Sequence, residues 1–298
     1  MGSQILEFAV GDERSGPYAI TAGPDQALWL TLVHAGRIAR LTVGGEVDTY
    51  PLDTAECGPT IITSGPDDAL WFTRYRDHRI GRMTSDGTTD TFRTPTTDSG
   101  PFGIVAGPDG ALWFTETNAD RIGRITTDGQ ITEFPLPTDG GFPSAITSGP
   151  DDALWCTLNQ ANAIGRIDVD GNIVVHSLPT PAAGPVGITR GTDDALWFVE
   201  IGAGQIGRIS VHGRIDEFAL PDRSARPHAI VADPDGGCWF TEWGANRIGY
   251  IDSNGAITEY DLPTQSSEPH GIAVGPDGAV WVALEIGRVA RLAPVSTC

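Results

Sequence analysis

The chain contains no lysine; all 19 of its basic residues are arginine. Schiff-base catalysis and a P-loop lysine are therefore excluded. Against 39 acidic residues those arginines leave a formal net charge of -20. A nucleic acid is an unsuitable partner for such a surface, because phosphate recognition depends on cationic side chains. No apolar run approaches the roughly 20 residues that span a bilayer, so no membrane association is expected. The opening MGSQILEFAV has neither a basic n-region nor a long apolar stretch, which argues against a signal peptide. Cysteine is scarce, and Cys57, Cys156, Cys238 and Cys298 show no paired spacing. A reduced, cytoplasmic protein is the simplest reading of that pattern. Sustained helical periodicity is also missing.

What the chain does have is a ruler. Trp29, Trp71, Trp113, Trp155, Trp197, Trp239 and Trp281 stand 42 residues apart throughout. A period of that length is typical of four-stranded propeller blades, and seven copies fill residues 1–298 as a single domain. Each copy repeats the same grammar around its tryptophan. A proline stands twelve before it (Pro17 to Pro269), an isoleucine nine before (Ile20 to Ile272) and an aspartate four before (Asp25 to Asp277). A Gly-Ile segment predicts strand A, Leu-Trp-Phe-Thr strand B, Ile-Gly-Arg-Ile strand C and Ile-Thr-Glu-Phe strand D, bounded by Pro, Gly and Asp turn chemistry. Gly45, Gly87, Gly129, Gly171, Gly213 and Gly255 fit a C–D hairpin that needs positive φ. Ile5-Leu6-Glu7-Phe8 matches strand D in register, so the N-terminal strand is expected to complete blade seven and hide the sheet edges. The fold class that follows is all-β, a closed seven-bladed propeller. Having no open edge to force assembly, it is expected to be a monomer.

Most conspicuous residues have a structural role in this scheme. The seven periodic tryptophans are expected to pack between neighbouring blades. The aspartates before them are expected in A–B turns rather than on a metal. The strand C arginines are expected on solvated faces or paired with acidic neighbours. Glu116, Glu200 and Glu242 recur at one repeat position and are read as structural. His34, His78, His176 and His212 are expected to be solvent-exposed.

Function is sought where the repeat departs from itself. Residues just before strand A and just after strand B should rim one mouth of the central channel. Eleven before the tryptophan the series runs Tyr18, Thr60, Phe102, Ser144, Val186, His228, His270. Thirteen before, glycine dominates, but Phe142, Arg226 and Glu268 replace it. Four after, the series ends on Trp243 and Glu285, and the loop after Glu285 is one residue short. Tyr18, His228, Glu268, His270 and Glu285 thus converge from three contiguous blades. Two carboxylates with two imidazoles suit a hard divalent cation and a general base. Trp243, outside the tryptophan series, is either a stacking surface for an aromatic ligand or a loop-packing residue.

The segments ARPHAI (225–230), CWFTEWGANRIG (238–249), SEPHGI (267–272) and VWVALE (280–285), with GPYAI (16–20), resemble the streptogramin B lyase, or virginiamycin B lyase, family over essentially the whole chain. The resemblance implies an enzyme that linearises cyclic depsipeptide antibiotics of the streptogramin B type by elimination at the threonyl ester. It implies Mg²⁺ as cofactor on Glu268 and Glu285 and His270 as general base. It also implies His228 as a substrate contact with Tyr18 beside it. Two other readings stay open: a propeller lactonase that hydrolyses an ester with metal-bound water, and a non-catalytic ligand-binding propeller.

Overall fold

The computed structural model describes residues 5–293, and among these there are no helices. Seven antiparallel four-stranded sheets stand side by side around an axis. Blade three shows the pattern: strand A is Pro101–Ala106, B Leu112–Glu116, C Arg121–Ile125 and D Ile131–Pro135. Strand B is buried along its whole length, while strand D alternates between half-buried and exposed, as an outermost strand must. The hairpin glycines adopt left-handed backbone, as at Gly129 (φ 91°), where a side chain would also strike the Phe92 ring.

Blade seven combines Pro269–Val274, Val280–Leu284 and Arg288–Leu292 with Ile5–Ala9 from the start of the chain. Ile5 lies opposite Leu292 and Ala9 opposite Arg288, which closes the ring. Phe8 carries the closure into the core by packing on Trp281, 5.5 Å between ring centroids.

The periodic tryptophans are all buried between blades; Trp29 meets Leu70, Phe72 and Met83 of the next sheet. At about 25 cal/mol per Å², the roughly 150–250 Å² of each ring contributes about 4–6 kcal/mol before chain entropy is counted. Each indole N–H is also satisfied. In blade four Trp155 donates to Asp151 at 3.0 Å, and the other oxygen of Asp151 accepts from Arg166 at 2.7 Å. Six blades share this Trp–Asp–Arg arrangement, so the turn aspartates do more than turn, and the strand C arginines pair with them. Blade six departs from it. There Trp239 donates to Asp233, two residues earlier than the series aspartate Asp235, and Tyr250 replaces the arginine. Gly236 and Gly237, both at positive φ, reroute that turn.

Every blade also carries a bulge in strand A between its proline and its isoleucine. The bulge takes the residue eleven before the tryptophan out of the regular ladder and aims it at the channel mouth.

Candidate functional site

The bulge explains why three side chains from different blades can meet. Tyr18, His228 and His270 occupy the same bulge position in blades one, six and seven. His270 lies at their centre. Its ring centroid is 4.7 Å from that of Tyr18, 4.7 Å from His228 and 6.4 Å from Trp243. Its backbone is tied from behind, because the Thr241 hydroxyl donates to the His270 carbonyl at 2.9 Å. The residues at the corresponding position before His228 and Tyr18 are Val199 and Ala283, which have no hydroxyl to offer.

Glu285, just after strand B of blade seven, accepts a hydrogen bond from His270 Nε2 at 2.8 Å. Glu268 flanks the same ring across Pro269. One ligand atom from each of Glu268, His270 and Glu285 falls within 4.8 Å of the others, so the three fit around one cation. The hydrogen bond from His270 holds Glu285 well below the usual carboxylate range. Glu268 is pushed upward, chiefly by its contact with Glu285. Two carboxylates so close oppose each other's ionisation, and a cation between them would relieve the conflict. Oxygen donors of this kind suit Mg²⁺, which prefers one or two carboxylates and keeps its remaining positions for water or substrate.

The other members are neutral at physiological pH. Burial pushes the His228 imidazole down to about 3, and the neighbouring His270 adds to the shift. Burial, then the charge of Glu285, raises the Tyr18 phenol above its ordinary range, so it keeps its proton. The site therefore offers a neutral imidazole and a phenol O–H as hydrogen-bond partners around a second imidazole backed by a carboxylate. Nδ1 of both histidines and Nε1 of Trp243 are buried and lack a protein partner.

Two concavities flank the cluster. One, of about 250 Å³, is mainly aromatic, lined by Tyr18, Tyr75, Phe102 and Phe142. The other, of about 610 Å³, lies between blades six and seven and includes Arg226, Trp243 and Glu268. Trp243 is half-buried with the Arg226 guanidinium 5.5 Å from its ring centroid, so part of its surface serves loop packing.

The structure thus brings together all six residues singled out from the sequence, and it adds one. His34 was expected to be merely exposed; its side chain is 45% exposed, yet its Nε2 lies 2.7 Å from Glu285 Oε1. His212 is exposed as expected. His78 and His176 are half-buried instead: His78 accepts from the Gly100 N–H, and His176 stacks on Trp155. Cys57, Cys156 and Cys238 are buried, and burial raises their thiols, which fits no nucleophilic role. Cys298 lies outside the described residues. Glu116, Glu200 and Glu242 are fully buried, which makes them a costlier feature than a structural acid on the surface.

The virginiamycin B lyase family profile matches residues 3–292. The chain belongs to the virginiamycin B lyase family. A virginiamycin B lyase of Saccharopolyspora erythraea is 62% identical over 50 residues, a stretch that spans 17% of this chain and 17% of that relative. Agreement with solved structures runs the full length. The selenomethionine-substituted virginiamycin B lyase from Staphylococcus aureus is 45% identical, with TM-score 0.95 over 99% of this chain and 100% of that one. A catalytically inactive H270A virginiamycin B lyase from Staphylococcus aureus, crystallised with quinupristin, is 44% identical with TM-score 0.95 over 99% of this chain and 100% of that one.

Proposed function

We propose that this member of the virginiamycin B lyase family is a Mg²⁺-dependent lyase that opens streptogramin B type cyclic depsipeptides by elimination at the threonyl ester, and so confers resistance to them. The observation that carries this reading is His270, fixed by Thr241 behind it and Glu285 beside it, within ligand distance of two carboxylates. The relative crystallised with quinupristin supports the residue as well as the ligand class, since its H270A variant is described as catalytically inactive.

Elimination begins with the α-proton of the esterified threonine, which is very weakly acidic. His270, oriented by the Glu285 carboxylate at its Nε2, is the imidazole that accepts that proton. As the proton leaves, the Cα–H electron pair forms the Cα=Cβ double bond and the Cβ–O bond breaks. The ester oxygen departs on the carboxylate it belonged to, and no water is consumed. Polarising the substrate carbonyl is the chemistry that Mg²⁺ bound at Glu268 and Glu285 would supply. His228 and Tyr18 line the same mouth and are placed to hold the substrate against the base by neutral hydrogen bonds and ring contacts. Tight positioning of this sort supplies much of the barrier reduction when little covalent chemistry is done by the protein.

The test is a mass measurement on purified protein with a streptogramin B and MgCl₂. Elimination opens the ring with no change in mass, whereas a lactonase adds one water. The expected product is isobaric with substrate, its formation stops in EDTA, and His270→Ala abolishes it. A product heavier by one water would sink the lyase reading, and no conversion at all would leave a binding propeller.

A further inference from the structure

His34 sits in the loop after strand B of blade one, 251 residues before Glu285 in the chain. Ring closure makes them neighbours. A carboxylate only accepts, so the Nε2–H of His34 must donate to Glu285 Oε1 at 2.7 Å, while His270 donates to Oε2 at 2.8 Å. Glu285 is therefore gripped at both oxygens by imidazoles from different blades.

The seat of His34 is built for it. Gly16 adopts φ 64°, and a Cβ there would lie 2.5 Å from His34 Cδ2. The glycine thus lets the ring lie flat against the strand A entry and reach over the seam into blade seven. At the equivalent place in blade two, Arg76 lies over Gly58 in the same way, and in blade three Asn118 lies over Gly100. The stacking of this loop residue on glycine is shared by blades one to three; of these, only at the seam does it end on a carboxylate of the site.

We infer that His34 is a positioning residue for Glu285: it holds Oε1 so that the carboxylate presents its other oxygen toward His270 and Glu268. The inference rests on the proposal that Glu285 is a Mg²⁺ ligand. Partners of this type fix a ligand's orientation, and their loss commonly costs 10–100-fold in metal affinity.

The experiment is isothermal titration of the full chain with MgCl₂, without substrate, for the parent and for His34→Ala, His34→Gln, Glu285→Gln and His212→Ala. Glutamine keeps an N–H donor at nearly the same reach. The expected result is a dissociation constant raised about tenfold in His34→Ala, toward the lower end of that range because the residue is half-exposed. His34→Gln should stay within about threefold of the parent, His212→Ala should match it, and Glu285→Gln should lose binding. Parent-like binding by His34→Ala, with Glu285→Gln silent, overturns the positioning role and leaves the metal reading standing. Equal losses in His34→Ala and His34→Gln also overturn it, since they would make the imidazole itself a ligand. A parent that binds no Mg²⁺ overturns both.

Discussion

Glu268→Gly should raise the stability of the protein in EDTA and lower it in Mg²⁺. Glu268 holds a left-handed backbone at φ 51°, at a repeat position where Gly16, Gly58, Gly100 and Gly184 adopt φ of 64°, 59°, 60° and 61°. An L-residue in that region costs roughly 1–2 kcal/mol, and glycine gives back about 0.5–1 kcal/mol in extra unfolded-state freedom. The substitution should therefore be stabilising by up to about 1.5 kcal/mol, or about 2 °C in a domain of this size. Relief of the contact with Glu285 acts in the same direction, but Glu268 is exposed and solvent screens that part.

Mg²⁺ reverses the order. A ligand at a hundred times its dissociation constant stabilises the folded state by about 2.7 kcal/mol, and only the parent retains both carboxylates. Thermal melts of parent, Glu268→Gly and Glu268→Gln in EDTA and in saturating MgCl₂ separate the two effects, because glutamine removes the charge and keeps the strained backbone. Glu268→Gly should melt highest of the three in EDTA and below the parent in MgCl₂, with elimination activity lost. A lower melting temperature than the parent in EDTA would refute the strain argument. An Mg²⁺-dependent rise equal to the parent's would refute the ligand assignment.

Two further outcomes are expected. Thr241→Val strips the Ala229 N–H and the His270 carbonyl of their shared hydroxyl, so it should cost about 1–3 kcal/mol and lower kcat more than it changes KM; unchanged melting and kcat would remove Thr241 from any role in holding the base. Glu116 has its pKa raised from 4.5 to about 8, by burial first and the charge of Glu133 second. The folded state then keeps a proton that the unfolded chain releases, so stability falls as pH rises from about 4.5 to about 8, at up to about 1.4 kcal/mol per unit. Glu116→Gln should accordingly gain on the parent between pH 5 and pH 8 in urea melts, and a constant difference across that range would show that Glu116 does not titrate there.

The fold was legible because one spacing carries it. Once the tryptophans set the register, blade number, strand order and closure by Ile5–Ala9 follow from counting. The site was legible for the same reason, since Glu268, His270 and Glu285 stand out only against what their six counterparts are. His34 was not legible. A histidine five after the tryptophan has no consistent chemistry in the other blades, and its partner lies across the seam, where side-chain reach over Gly16 decides the contact. The raised pKa values of Glu116 and Glu200 were hidden too: burial leads in both, and the strand D carboxylates Glu133 and Glu217, which add to it, cannot be read from the position of either residue alone. The exchange of Asp235 for Asp233 did have a signal: Asp233 replaces a glycine present in every other copy, and two glycines follow it in the turn.

The site straddles the seam of the ring, and that placement has a physical consequence. Tyr18 and His34 come from the first blade to be made, and Glu268, His270 and Glu285 from the last. They meet only when Ile5–Ala9 pairs with Arg288–Leu292, with Phe8 seated on Trp281 and Glu7 accepting from Thr264 at 2.6 Å. Non-local pairing of this kind forms late, since loop-closure entropy must be met before the contacts reward it. An open ring could retain six ordinary blades and their Trp–Asp pairs while holding neither the His34–Glu285 bond nor the Tyr18–His270 contact. Loss of the site should therefore precede loss of the sheets when the seam is weakened, so activity reports on closure more sensitively than circular dichroism does.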